Sequence, residues 1–128
     1  MLEPSRLAKM LLAKAGYDSE RPLTLTYKTS SDHFRQRIAT VIQDQLAAVG
    51  VRMKIQSYDW GTFYADIKSG RFQMYSLSWV GLKLPDIFRY VFHSEAIPPN
   101  GANRGRYRSP VADRLIDAGD VAAALDEK

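Results

Sequence analysis

Two histidines and a pair of aspartates are the side chains of this sequence that could serve a metal ion or acid–base chemistry. His33 and His93 are far apart, and neither has a second ligand at helical or hairpin spacing. Asp113 and Asp117 share one face of a predicted helix, but further charges interleave with them, as on an ordinary solvated surface. Metal sites need several converging ligands. No Gly-rich phosphate loop, nucleophile elbow or zinc helix is present either. We therefore expect no metal, no cofactor and no enzymatic activity.

A short basic cluster could contact nucleic acid. Arg104, Arg106 and Arg108 alternate with Gly105 and Tyr107, and basic residues interleaved with an aromatic can follow a phosphate backbone. The cluster is short, and the whole chain has 18 basic against 14 acidic residues. A solvated loop, or a loop that meets another domain, is the preferred interpretation, and we expect no nucleic-acid partner.

The two tryptophans lie where ligands collect in α/β proteins. Trp60 begins a predicted helix directly after a strand, and Trp79 ends a predicted strand just before Gly81. The carboxyl ends of parallel strands are the usual ligand-binding edge of such a sheet. Both tryptophans are therefore candidate walls of a binding crevice. The alternative is that each one only fills the core.

These side chains need a sheet to position them, and the hydrophobic pattern predicts one. Residues 23–28 and 51–56 alternate apolar and polar side chains, as half-buried strands do. Between them, a stripe at helical spacing is ended by Gly50. Strand, helix and strand form a βαβ unit, which predicts parallel strands and a right-handed crossover. Residues 72–80 carry large side chains on both faces, which predicts a third and central strand. The helical stripe is formed by Phe34, Ile38, Val41, Ile42, Leu46 and Val49.

Further helices are predicted on either side of these strands. Helical spacing and Gly16 predict a helix over 4–15, Asp59 can cap one over 60–69, and another is predicted over 86–92. Ser109 followed by a proline starts the last helix. Its expected buried side consists of Val111, Leu115 and Ile116.

Length and composition suit one folded domain. The chain has 128 residues, 45% of them hydrophobic, and no cysteine, which excludes a disordered chain and any disulfide. No stretch reaches the ~18 apolar residues of a membrane span. The sequence stops shortly after the apolar run 121–125 with no stop signal, so we expect it to be a piece of a longer protein.

The order of short motifs resembles the extracytoplasmic solute-binding proteins of the dipeptide/oligopeptide-binding class, which serve ABC importers. The resemblance covers nearly the whole chain, and it depends on the shared order and spacing of the motifs. They are LLAKAGY at 11–17, LTL at 23–25, QLAAVGV at 45–51, YDWGTF at 58–63, GRFQM at 70–74, SW at 78–79, FHS at 92–94 and YRSPVADRLI at 107–116.

The resemblance implies a fold and a place in a larger protein. The expected fold is an α/β lobe of the type II periplasmic-binding-protein kind, with the βαβ unit, a further central strand and flanking helices. Residues 1–128 would form part of the C-terminal lobe, without the N-terminal lobe, the hinge or the signal sequence. The whole protein would be periplasmic or an extracytoplasmic lipoprotein. It would close two lobes over a peptide and deliver it to an ABC permease.

The resemblance also implies site residues. In the peptide binders two tryptophans nineteen residues apart flank the ligand, as Trp60 and Trp79 are spaced here. The main chain of Val80, Gly81 and Leu82 resembles the segment that pairs with the bound peptide. Leu82 occupies a position where peptide binders usually have an Asp for the α-ammonium group of the ligand. Asn103 and Arg104 are further candidates for contact with the ligand or with the opposite lobe.

Two other functions remain open at this point. The same class of proteins includes binders of sugars, opines and nickel complexes, and the leucine at position 82 leaves such ligands as alternatives. A lobe of this kind could also act as a ligand sensor that reports to a receptor and transports nothing.

Overall fold

The computed structural model describes residues 3–81 and 86–126, and these fall into two compact units. The first unit comprises residues 3–65 and 72–76, and the second comprises residues 66–71, 77–81 and 86–126. The elements are α1 (Pro4–Lys14), β1 (Thr24–Ser30), α2 (His33–Ala48), β2 (Arg52–Tyr58), α3 (Trp60–Ser69), β3 (Met74–Tyr75), α4 (Ile87–Phe92) and α5 (Pro110–Asp126). No helix in the described part of the chain is long and apolar enough to cross a membrane.

The first unit contains the predicted βαβ motif. β1 and β2 are parallel over their whole length, and α2 connects them and packs on both. Along β2 the odd-numbered Met53 and Ile55 turn inward while Arg52 and Lys54 are exposed, so the alternation in the sequence predicted the strand correctly. The core is formed by Tyr27, Ala39 and Met53, with Ile42, Leu46, Ile55 and Met74 packed against it.

The third strand is much shorter than predicted. In the run 72–80 only β3 pairs, and it lies parallel to β1 in a sheet of order β2-β1-β3. The central strand is therefore β1, and the prediction that the third strand is central is wrong for the sheet of the described residues. Before β3, the Thr26 amide donates to the side-chain Oε1 of Gln73 at 2.7 Å, so a side chain takes the place of a backbone partner.

The ends of the helices follow local sequence signals. Asp32 caps α2 by accepting the Arg35 amide hydrogen at 2.9 Å. At the other end of α2, Gly50 has φ +88°, and the amides of Gly50 and Val51 donate to Ala47 and Leu46. Such paired bonds with a left-handed residue satisfy the last carbonyls of a helix, and glycine adopts that conformation without steric cost.

Two predicted apolar stripes are only half right. On α2, Ile42 packs against the core, whereas Phe34 and Val41 are exposed. On α5, Val111 and Leu115 are exposed, so the predicted buried side of this helix is wrong for them. The physical reason is that the described residues cover only one face of each helix, and the face of α5 that meets α4 is lined with aspartates.

Those aspartates join α4 to α5 in the second unit. Arg89 on α4 is ion-paired with both Asp117 and Asp120 on α5. The Ser94 amide donates to the Asp113 carboxylate at 3.0 Å. These ion pairs link the two helices, although the side chains that form them are 39–57% exposed.

Candidate ligand-binding site

Trp60 begins α3 immediately after the carboxyl end of β2. Asp59 caps the helix by accepting the Thr62 amide hydrogen at 3.0 Å and the Thr62 hydroxyl hydrogen at 2.7 Å. The indole of Trp60 is 54% exposed, and it stacks on the ring of Tyr64 at 5.5 Å with an interplanar angle of 8°. The spacing of four residues places both rings on one helix face. Trp60 is therefore an accessible aromatic surface in the first unit, and its exposure does not fit the alternative that it only fills the core.

The Asp59 cap also has an electrostatic consequence. The two hydrogen bonds from Thr62 favour the charged carboxylate, and they lower the pKa of Asp59 below its usual 3.8. The cap is thus fully charged at neutral pH.

Trp79 lies in the second unit, four residues beyond the end of β3. The prediction that Trp79 ends a strand is wrong, because β3 stops at Tyr75. Its indole is 41% exposed. The ring of Tyr90 on α4 meets it edge-on at 6.0 Å, and the guanidinium of Arg104 lies 5.2 Å from its centroid. The structure therefore brings together two of the predicted site residues, Trp79 and Arg104.

The segment that contains Trp79 is open. All four residues from Ser78 to Gly81 are exposed, and Val80 reaches 92%. None of the backbone hydrogen bonds between described residues involves this segment. Leu82 lies outside the described residues, so its predicted role stays a prediction.

Asn103 is buried, in contrast to the other candidates. Only 2% of it is exposed. Its amide nitrogen donates to the carbonyls of His93 at 3.1 Å and Tyr107 at 2.8 Å, and its Oδ1 accepts the Tyr107 amide hydrogen at 2.9 Å. The side chain thus ties together the two ends of the loop that carries Arg104. Contact of Asn103 with a ligand stays a prediction, which this burial does not support.

His93 and Asp113, two of the candidates for metal or acid–base chemistry, have hydrogen-bond partners within the second unit. His93 is buried, its Nδ1 accepts the Glu95 amide hydrogen at 3.2 Å, and its Nε2 lies 3.4 Å from Asp117. Asp113 was expected to be simply solvated, but its bonds from Ser94 lower its pKa below 3.8. Among the described residues there is no group of three or more His, Asp or Glu side chains that could hold a metal ion.

Two aromatic partners were not singled out in the sequence. Tyr64 had a usable signal, because it is four residues after Trp60 in a predicted helix. Tyr90 had none, since its contact with Trp79 depends on how α4 is placed after the intervening chain.

A groove in the first unit lies apart from these candidates. Two adjoining cavities of about 410 and 470 Å³ share Ser19, Ala47 and Gly50 near the end of α2. None of the predicted site residues lines them.

Comparison with known proteins places the chain in a family. Residues 4–96 match the family model described as "Bacterial extracellular solute-binding proteins, family 5 Middle". The chain is 36% identical over 117 residues to di/tripeptide-binding protein 2 of Pseudomonas aeruginosa, covering 89% of this chain and 22% of that protein. It is 33% identical over 113 residues to the periplasmic murein peptide-binding protein MppA of Escherichia coli, covering 85% of this chain and 20% of that protein.

A solved structure agrees with the sequence relatives. The oligopeptide-binding protein AppA of Bacillus subtilis, in complex with a nonapeptide, superposes with a TM-score of 0.75 at 28% identity, covering 88% of this chain and 25% of AppA. The predicted type II periplasmic-binding-protein fold is thereby confirmed. The chain spans about a fifth to a quarter of the length of these relatives. It belongs to the bacterial extracellular solute-binding proteins of family 5.

Proposed function

We propose that residues 1–128 are part of the C-terminal lobe of a two-lobed solute-binding protein that captures a peptide and delivers it to an ABC permease. Family membership supports this function, because the relatives above are named as peptide-binding proteins. The protein binds and releases its peptide without chemical change.

The observation that carries the proposal is the open segment from Ser78 to Gly81. An extended peptide can be bound through its main chain when a protein offers unpaired backbone N–H and C=O groups beside it. In this segment the side chains are exposed, and no backbone hydrogen bond to another described residue uses its donors or acceptors. Binding through the backbone requires no particular ligand side chain, so it suits a protein that takes many peptide sequences.

Each tryptophan is an exposed aromatic surface within its own unit. Trp60 and Trp79 expose 54% and 41% of their surface. Removing such aromatic surface from water is favourable, so a ligand that covers either indole gains binding free energy. Each indole is held by a second ring, Tyr64 for Trp60 and Tyr90 for Trp79. In the proposal Trp79 contacts the bound peptide and Val80, Gly81 and Leu82 supply its backbone partners, while Trp60 is proposed separately as a ligand contact of the first unit.

Calorimetry tests the proposal, with the protein expressed from its whole open reading frame. The titrants are di-, tri- and tetrapeptides, with maltose, octopine and a nickel–histidine complex as the non-peptide solutes. We expect only the peptides to bind. Chromatography of the mixture after incubation should recover the peptide intact. Tight binding of one of the other solutes, without peptide binding, would replace the proposed ligand class.

A pair of substitutions at Val80 tests the backbone contact. Val80→Pro removes the amide hydrogen and restricts the residue before it, and we expect peptide affinity to fall about five- to tenfold, as for one lost hydrogen bond. The matched control Val80→Ala keeps the amide and should bind within about twofold of the original. Equal effects of both substitutions, at unchanged melting temperature, would show that the backbone of Val80 does not pair with the peptide.

Location and transport need separate tests. In the proposal the whole protein is periplasmic or a lipoprotein, so cell fractionation should recover it outside the cytoplasm. Deleting its gene should lower the uptake of labelled peptide, and a plasmid copy should restore it. Unchanged uptake together with a neighbouring sensor-kinase gene would favour a sensing function over transport.

A further inference from the structure

The indole of Trp60 and the ring of Tyr64 form a parallel aromatic pair on α3. Their centroids are 5.5 Å apart and their planes differ by 8°. The other ring contacts between described residues are inclined by 58° to 84°. Rings four residues apart share one helix face, and an offset parallel stack is one of the two arrangements that the quadrupoles of aromatic rings favour.

The pair leaves one side of the indole open. Tyr64 is half-buried and stacks on one face of Trp60, and the buried ring of Phe63 meets the indole at 5.9 Å with an inclination of 58°. Even so, 54% of Trp60 is exposed. Because the stack covers only one face of a flat ring, the exposed fraction belongs mainly to the opposite face and the outer edge. The pair is therefore a flat aromatic surface on which one more ring can lie.

This surface lies at the edge of the sheet where ligands bind in α/β proteins. Trp60 is two residues beyond Tyr58, the last residue of β2, and Tyr58 is paired with Ser30, the last residue of β1. The carboxyl ends of two neighbouring parallel strands thus meet beside Trp60, and ligands of such sheets collect at this edge.

The carboxylate next to the indole is used by the helix. Asp59, directly before Trp60, accepts hydrogen bonds from the Thr62 amide at 3.0 Å and the Thr62 hydroxyl at 2.7 Å, at the positively polarised start of α3. Residues 60–65 contain no other acidic side chain. A ligand cation beside Trp60 would have to compete with the start of the helix for this carboxylate, whereas an uncharged ring would not.

We infer that the open face of Trp60 is a subsite for an aromatic side chain of the bound peptide, so that the protein prefers peptides with a ring at one position. An aliphatic side chain on this surface would gain only the free energy of burying apolar area. A ring would gain a similar amount from burial and the stacking energy of an aromatic pair in addition. The inference rests on the proposed peptide-binding function and names the class of peptide that the site selects.

Matched tripeptides test the subsite by calorimetry, again with the protein expressed from its whole open reading frame. One series has phenylalanine in turn at each of the three positions of trialanine. The second series has cyclohexylalanine at the same positions, which is similar in size and at least as apolar but has no aromatic face. At one position we expect the phenylalanine peptide to bind about three- to tenfold more tightly than its cyclohexylalanine partner. Burial of apolar area alone would make the cyclohexylalanine peptide equal or tighter.

Substitutions assign the preference to Trp60. Trp60→Leu should lower the ratio of the two affinities to about one, whereas Trp60→Phe keeps a ring and should keep a ratio above about two. Tyr64→Leu should lower the ratio as well, because the indole loses the ring that stacks on it, and Tyr64 is thus a positioning residue. Trp79→Leu, which removes the other exposed tryptophan, is the matched control and should leave the ratio unchanged. Melting temperatures identify the variants that are folded.

Three outcomes would count against the inference. Equal affinities of the two series at all three positions would overturn the aromatic subsite and leave the proposed function standing. A preference that survives in folded Trp60→Leu protein, or that is lost in Trp79→Leu protein, would place the subsite elsewhere. Failure of both series, and of the wider peptide panel, would overturn the proposed function and the inference with it.

Discussion

The guanidinium of Arg106 lies directly over Gly70, where α3 ends. A β carbon at residue 70 would be 2.2 Å from the Arg106 Nη1 atom, so only glycine leaves room for this contact. Gly70 also has φ +77°, which closes the helix through the Arg71 amide bond to Asp66 at 2.9 Å. A positive side chain at the carboxyl end of a helix is favourable, and here it comes from a distant loop.

Gly70→Ala should therefore destabilise the protein in two ways. The left-handed backbone costs about 1 kcal/mol with a β carbon, and displacing the Arg106 guanidinium adds about 0.5 kcal/mol. Gly50→Ala is the matched control, because Gly50 has φ +88° and nothing within 4 Å of its added carbon. For the control, urea unfolding should show a loss of about 1 kcal/mol in the free energy of unfolding. In an Arg106→Ala background, Gly70→Ala should cost no more than Gly50→Ala, and an unchanged excess would rule out the contact.

The Asp59 cap should make stability depend on acid pH. Its pKa is lowered in the folded state by the hydrogen bonds from Thr62, relative to 3.8 in the unfolded chain. Its contribution is then fully present above pH 3.8 and is lost as pH falls through the lower folded value. Thermal melts from pH 7 down to pH 2 should show this loss.

Two variants separate the charge of Asp59 from the cap. Asn caps helices about as well as Asp, so Asp59→Asn should melt close to the original at pH 7 and lose less stability on acidification. Asp59→Ala should melt lower at every pH because the Thr62 amide loses its acceptor. Identical acid profiles for the original and Asp59→Asn would contradict the assignment.

Asn103 should matter more for stability than its loop position suggests. Asn103→Ala removes three hydrogen bonds and leaves the amide and the carbonyl of Tyr107 without their Asn103 partner, while the His93 carbonyl still accepts the Ala96 amide hydrogen at 3.0 Å. The loss should lower the free energy of unfolding in urea by about 2 kcal/mol. The control is Asn100→Ala in the same loop, where the side chain is exposed, and its effect should stay below about 0.5 kcal/mol. Similar small effects for both would mean that the buried amide does not hold the loop.

Leu82 provides a test of the resemblance to peptide binders. If the bound peptide places its α-ammonium group near this position, Leu82→Asp should strengthen binding of peptides with a free N-terminus, by about tenfold for a charge-assisted bond. N-acetylated versions of the same peptides should not gain. Calorimetry on both sets decides, and Leu84→Asp controls for added negative charge in the same stretch. An equal gain for acetylated peptides would exclude an ammonium contact.

Where the structure differs from the sequence-based predictions, fewer residues are paired or buried than the sequence pattern predicted. Residues 72–80 have the composition of a strand, but only Met74 and Tyr75 pair with β1. Val111 and Leu115 have helical spacing, but both are exposed, and Asp117 of α5 is ion-paired with Arg89 of α4. Apolar spacing shows which residues can share a face, and it does not show whether another element covers that face.

By itself the sequence determined the parallel βαβ unit, the capped start of α3, and the glycines that end the first two helices. All of these depend on interactions within a few residues, or on alternation along one strand, so the local order of side chains suffices. It also predicted Trp60 and Trp79 as site residues. Only the tertiary structure decided that Arg104 stacks on Trp79 and that Asn103 is turned inward. Those contacts join segments distant in sequence, and their geometry depends on how the packed helices and hydrogen-bonded loops bring the segments together.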